Sequence, residues 1–124
     1  TMLRHCKQDL CDSLTNVPSS EVRTAIQSFH SILGWMGDRP LPECQRLGFQ
    51  EDIVSMAKSS PSLTDEIYVQ VMKQLTENPS ERSVVLGWKV LLRLCQQVRP
   101  SGKLDEFVRT FVMKHTQSPN PEVE

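Results

Sequence analysis

No stretch of this 124-residue chain approaches the ~20 consecutive apolar residues that span a bilayer. Nor does it open on the charged-then-apolar leader of a secreted protein. Its four cysteines, Cys6, Cys11, Cys44 and Cys95, contain no C-x-x-C pair. Cys6 and Cys11, five apart, would sit about 140° from each other on a helix, and Cys95 lies inside an apolar run. They read as free thiols of a reducing compartment, so a disulfide framework is not expected. His5, His30 and His115 fall on separate segments without a second ligand at i+4, which leaves zinc no tetrahedral ligand set. His5 beside Cys6 is no nucleophile pair, because adjacent helical residues diverge. Glycine-rich phosphate loops, G-x-S-x-G and P-loop patterns are missing too. Gly34 with Gly37 is no dinucleotide fingerprint, since no strand precedes it. The expectation is a protein with no catalytic residue, no metal, no cofactor and no enzymatic activity.

What is present is the ordinary material of one soluble globular domain. The chain is 38% hydrophobic and 23% charged, and long enough for a real core. It starts inside a helical pattern, as a piece of a larger protein would. Its net charge of −1 hides an asymmetry. Residues 1–81 hold 7 basic and 11 acidic side chains, whereas 82–114 hold 7 basic against only Asp105 and Glu106. Glu122 and Glu124 restore the balance.

Periodicity predicts six helices, no strand and no internal repeat. Leu3, Cys6, Leu10 and Leu14 mark a first helix, capped by Thr1. After turn residues 16–20, with Ser19 or Ser20 as cap, a second carries Val22, Ala25, Ile26, Phe29, Ile32, Leu33 and Met36 on one stripe. Glu21, Arg23, Gln27 and Ser31 lie away from that stripe. Gly37 suits the left-handed residue that ends it. Gly34 costs ~1 kcal/mol inside a helix, which implies close approach by a neighbour. Residues 39–48 form a connection or short turn, and a third helix spans 49–58 with Phe49, Ile53, Val54 and Met56 or Ala57. The fifth, capped by Ser80, runs from 81 to 97. It is apolar over most of its circumference, as a central helix would be. The sixth, capped by Ser101, buries Leu104, Phe107, Val108, Phe111 and Val112. The fold class is therefore all-α, a compact bundle of about six helices over residues 1–115. Residues 116–124 read as a disordered tail or linker.

The fourth helix is the most distinctive. Leu63, Ile67, Val71 and Leu75 recur every four residues with Tyr68 and Met72 beside them. Ser62 and Asp65 have capping-box spacing, and Asn78-Pro79 stops the helix. Asp65 and Glu66 could suggest acid–base chemistry. They diverge by about 100° on a helix and stand where a helix dipole favours negative charge, so they read as capping residues. Gln70 and Gln74 read as structural hydrogen-bonding amides, and Lys73 as exposed.

The run D-E-I-Y-x-Q-x-x-K-Q-L-T-x-N-P over 65–79 resembles the signature of the myosin tail homology 4 domain. Two further pieces occur in the matching order. I-L-G-W-M-G-D over 32–38 resembles that family's I-L-x-Y-M-G-D, with Trp35 as the aromatic. Gly87-Trp88 with Leu91, Leu92 and Cys95 resembles its G-W-x-L-L-x-L-C. Pro100-Ser101 is similar to its P-P-S turn, with Arg99 in place of the first proline. The resemblance spans roughly residues 22–112. It implies a six-helix core and a non-catalytic interaction module of a cytoskeletal motor or regulator. Such modules are cytoplasmic and cytoskeleton-associated. They bind microtubules or acidic cargo proteins, often together with a following FERM domain.

Arg82, Lys89 and Arg93, spaced +7 and +4, stack on one face of the fifth helix, and Arg99 and Lys103 follow. Such a strip would attract an acidic protein, with a salt-sensitive rate. The same residues also fit the solvated edge of a buried helix. Few aromatics flank them and the chain is not basic overall, which disfavours nucleic acid. No basic amphipathic helix with an aromatic face is available for a membrane surface. An alternative reading makes the domain a structural support that packs on a neighbouring domain, orienting it or holding the parent inactive.

Overall fold

The structure, a computed structural model, describes residues 14–15, 17–37 and 43–116. After a 3-10 turn at Ser19–Glu21 come five α-helices: α1 Val22–Trp35, α2 Glu43–Lys58, α3 Pro61–Leu75, α4 Glu81–Gln97 and α5 Gly102–Thr116. No strand occurs among the described residues. The fold is all-α, as the periodicity predicts. Residues 1–13 of the expected first helix and 117–124 of the expected tail lie outside the described residues, while Thr116, expected in the tail, ends α5.

Burial corrects which helix is central. Eleven of the 15 residues of α3 are buried, and α3 packs against α1, α2 and α4. In α4 only Ser83, Gly87, Val90, Leu91 and Leu94 are buried. Leu92 is 61% exposed and Val85 38%. An apolar residue count does not fix an arc, and here the buried arc of α4 is the one centred on Val90, Leu94 and Gly87. Apolar side chains from α1 and the residue that caps it (Ile32, Met36), α2 (Ile53, Val54, Ala57), α3 (Ile67, Tyr68, Val71) and α4 (Val90, Leu91, Leu94) form the core. Each such side chain fully buried contributes about 1.5–3 kcal/mol.

The helix ends show both agreement and correction. Ser80 caps α4, its hydroxyl accepting from the Ser83 amide, and Gly37 ends α1 at φ 77°. At α3 the cap is Ser60 and not Ser62. Its Oγ accepts from Leu63 N, and Pro61 takes the first helical position, where a missing N–H costs nothing. The 3-10 turn absorbs Ser19 and Ser20, and α1 starts without a side-chain cap. Helix α2 begins at Glu43, earlier than the apolar spacing indicates, because 43–48 carries no apolar stripe. Ser31 is buried with the stripe of α1, and Phe107 of α5 is 53% exposed. The close approach expected at Gly34 is made by the Phe49 ring, whose Cε2 would lie 2.5 Å from a Cβ there.

The polar residues of α3 do the joining. Glu66, fully buried, accepts from Leu14 N (2.8 Å), Thr15 N (2.7 Å), Thr15 Oγ1 (2.6 Å) and Gln70 Nε2 (2.8 Å). The same Gln70 amide donates to Ala25 O of α1 at 2.8 Å, and its Oε1 accepts from Ser28 Oγ at 2.7 Å. Glu66→Ala leaves these partly or fully buried donors without their acceptor, and should lower unfolding free energy by about 3 kcal/mol. Urea denaturation measures it, and a loss below about 1 kcal/mol would contradict the role assigned to this carboxylate.

Candidate interaction surface on α4 and α5

The conspicuous motif of α3 is occupied with holding the fold together. Asp65 Oδ1 accepts from the Ser101 amide at 2.9 Å and so fixes the start of α5. This replaces the local capping expected for Asp65 and Glu66, because α3 starts at Pro61 and places both past its first turn. Tyr68 donates to Val98 O at 2.7 Å, tying down the end of α4. Burial, then the neighbouring Cys95 thiol, pushes the Tyr68 hydroxyl pKa up and keeps it a neutral donor. Asn78 Nδ2 donates to Gln74 O and to Ser83 Oγ, both at 2.9 Å, and its Oδ1 accepts from Ser80 N at 2.9 Å. Through Asn78 the end of α3 is bonded to the start of α4. Gln70 bears out the structural reading, while Lys73 is buried and not exposed. With these groups committed to the interior, the outward surfaces of α4 and α5 remain as the place for a partner.

The five basic positions divide into two groups. Arg82, Lys89 and Arg93 fall within about 40° of one another around α4, along roughly 16 Å of its length. Arg82 and Lys89 are exposed and make no ion pair with a described residue. Arg93 reaches Glu51 of α2 at 3.2 Å. Arg99 stands beyond the end of α4, roughly 25 Å along the axis from Arg82, and pairs with Asp105 at 3.4 Å. Lys103 is in the first turn of α5. Arg109, on the same helix, also reaches Asp105, at 3.0 Å. The charge pattern did not reveal that Glu51 and Asp105 sit close enough to draw two of these cations. Exposed pairs of this kind contribute little to stability, about 0–1 kcal/mol. Large apolar side chains are exposed on the same two helices: Leu92 on α4, Phe107 and Met113 on α5.

Among the described residues no group of three or more His, Cys, Asp or Glu could hold a metal ion. No described helix is long and apolar enough to cross a membrane. What the fold and surface define is a helical scaffold with exposed basic and apolar side chains on α4 and α5. The sequence profile of the MyTH4 domain matches residues 50–124, and the chain belongs to that family, a non-catalytic interaction domain of myosin tails. It is 39% identical over 112 residues to the high molecular weight form of myosin-1 from Acanthamoeba castellanii, covering 90% of this chain and 7% of that protein. The MyTH4-FERM MF2 domain of Dictyostelium discoideum myosin VII superposes with a TM-score of 0.85 at 27% identity, covering 98% of this chain and 26% of that one. The human myosin 7b C-terminal MyTH4-FERM domain, solved in complex with the harmonin-a PDZ3 domain, gives 0.82 at 27% identity over 93% of this chain and 25% of that one. The chain thus spans under a tenth of the amoebal myosin and about a quarter of each solved chain.

Arg82 stands in the first turn of α4, where a cation opposes the helix dipole. Arg82→Glu with Lys89→Glu should therefore leave stability within about 0.5 kcal/mol of the parent, the range of surface substitutions away from structural features. Thermal unfolding checks this, and a larger loss would show that the two cations support the fold.

Proposed function

We propose that the domain serves a cytoskeletal motor tail as an adaptor. It would bind microtubules or another acidic protein through a basic helical face formed by Arg82, Lys89 and Arg93, with Arg99 and Lys103 extending it. The observation that carries this reading is the pair Arg82 and Lys89. Both are exposed, both lie on one side of α4, and neither forms an ion pair with a described residue. A cation against the helix dipole has no local stabilising role at Arg82, and a partner's acidic surface supplies one. Such a module acts in the cytoplasm on cytoskeletal partners, and its chemistry is confined to binding.

A second reading is favoured by a different observation. Leu92 and Met113 are 61% and 60% exposed, and the solved relatives named above are MyTH4-FERM units. On this reading the domain packs against a neighbouring domain of the same protein, such as a FERM domain, and orients it or holds the parent inactive.

Co-sedimentation with taxol-stabilised microtubules across a salt series separates the two. The adaptor reading expects pelleting at low salt that fades as ionic strength rises, and binding about tenfold weaker for the Arg82→Glu, Lys89→Glu variant. No pelleting at low salt would remove microtubules as the partner. Pelleting indifferent to salt and to charge reversal would remove the α4 strip as the contact.

A further inference from the structure

A groove of about 400 Å³ opens between the C-terminal half of α4 and α5. Its floor is the buried ring of Tyr68 and the buried side chain of Val108, with Cys95 and Val112 on its walls. Met113, 60% exposed, stands at its lip. Because the Tyr68 hydroxyl is turned to Val98 O, the floor presents ring carbon and no free polar group. Arg99 and Arg109 line the rim at 63% and 66% side-chain exposure, and both lean on the one carboxylate of Asp105. Two guanidinium groups facing one carboxylate leave a positive charge uncompensated beside an apolar recess. Each guanidinium spends one N–H on Asp105 and keeps others in a planar fork that matches a second carboxylate.

We infer that this groove binds a partner peptide that places an acidic side chain next to a large aliphatic or aromatic one. The carboxylate meets Arg99 and Arg109, and the apolar side chain enters the recess over Tyr68 and Val108. Met113, unbranched and adaptable, closes over it. The recess is within the size range of pockets that hold a few side chains. The surface differs from the α4 strip: Cys95 lies about 120° around the helix from Lys89 and about 160° from Arg93. The inference rests on the reading of the domain as an interaction module. It adds that recognition includes an apolar, salt-resistant contact beside the electrostatic one.

Panning a phage library of random nine-residue peptides against the chain tests it, with the selected peptides then synthesised and measured by fluorescence anisotropy. Cys95 supplies an internal reporter, read by mass spectrometry after iodoacetamide treatment. Enriched peptides are expected to carry an acidic residue within two positions of a Leu, Ile, Met or Phe. They should slow alkylation of Cys95 at least several-fold, and bind the Arg99→Ala, Arg109→Ala variant about tenfold more weakly. Absence of enrichment, peptides without the acidic–apolar pair, or peptides that leave Cys95 equally reactive would each overturn the assignment. Peptides that lose binding in the Arg82→Glu, Lys89→Glu variant but not in the groove variant would overturn it while leaving the α4 reading intact. Groove binding without microtubule pelleting would do the reverse.

Discussion

The buried carboxylate of Glu66, together with the amide of Gln70 one turn on, is the constraint on which the rest of the domain depends. A carboxylate taken out of water is costly unless its oxygens are filled by donors. Here four donors fill them, three from residues 14–15 and one from Gln70. Gln70 in turn closes onto Ala25 and Ser28 of α1. One helix turn of α3 thereby fixes the position of two other chain segments. Further along, Asp65, Tyr68 and Asn78 do the same for α5, the end of α4 and the start of α4. Hydrophobic packing gives the bundle its stability, and these directional bonds select one arrangement of the helices.

This division of labour separates scaffold from surface. Most of the polar residues that make the 65–79 motif recognisable are buried or tied to neighbouring segments, so here the motif serves the fold. On α4 and α5 the outward residues have looser obligations. Arg93 leans on the exposed carboxylate of Glu51, a contact that a partner can replace at small cost, and Arg99, itself largely exposed, leans on the more buried Asp105. Leu92, Phe107 and Met113 remain in solvent, where burial against a partner would be favourable.

Much of the architecture was legible in the sequence because it follows from period and punctuation. The stripe of α1, the Ser80 cap, the left-handed Gly37 and the close approach at Gly34 are all local signals. The central place of α3 was not legible. Glu66 reads as a capping residue and Lys73 as exposed until the packing around them is known, and the partners of Glu66 lie 4 to 52 residues away in sequence. The opposite holds at α4, where nine apolar residues over most of the circumference suggest a central helix. Leu92 and Val85 turn to solvent because α3 packs on the opposite arc of α4, that of Gly87, Val90 and Leu94. Ser62 has capping-box spacing with Asp65, but Ser60 stands just before Pro61, and proline's preference for the first helical position makes Ser60 the cap. At the candidate surface, spacing placed Arg82, Lys89 and Arg93 together. It could not indicate that Glu51 would engage one of them, or that Arg99 and Arg109 would meet over a single Asp105.

The central claim is that Glu66 and Gln70 act as one unit in holding α3 to its neighbours. A double-mutant cycle measures it: urea unfolding of the parent, Glu66→Ala, Gln70→Ala and the combined variant. The account predicts a coupling energy above about 1 kcal/mol, as residues in one hydrogen-bond network show. Additivity within about 0.3 kcal/mol would mean that the two side chains contribute independently, and would contradict it.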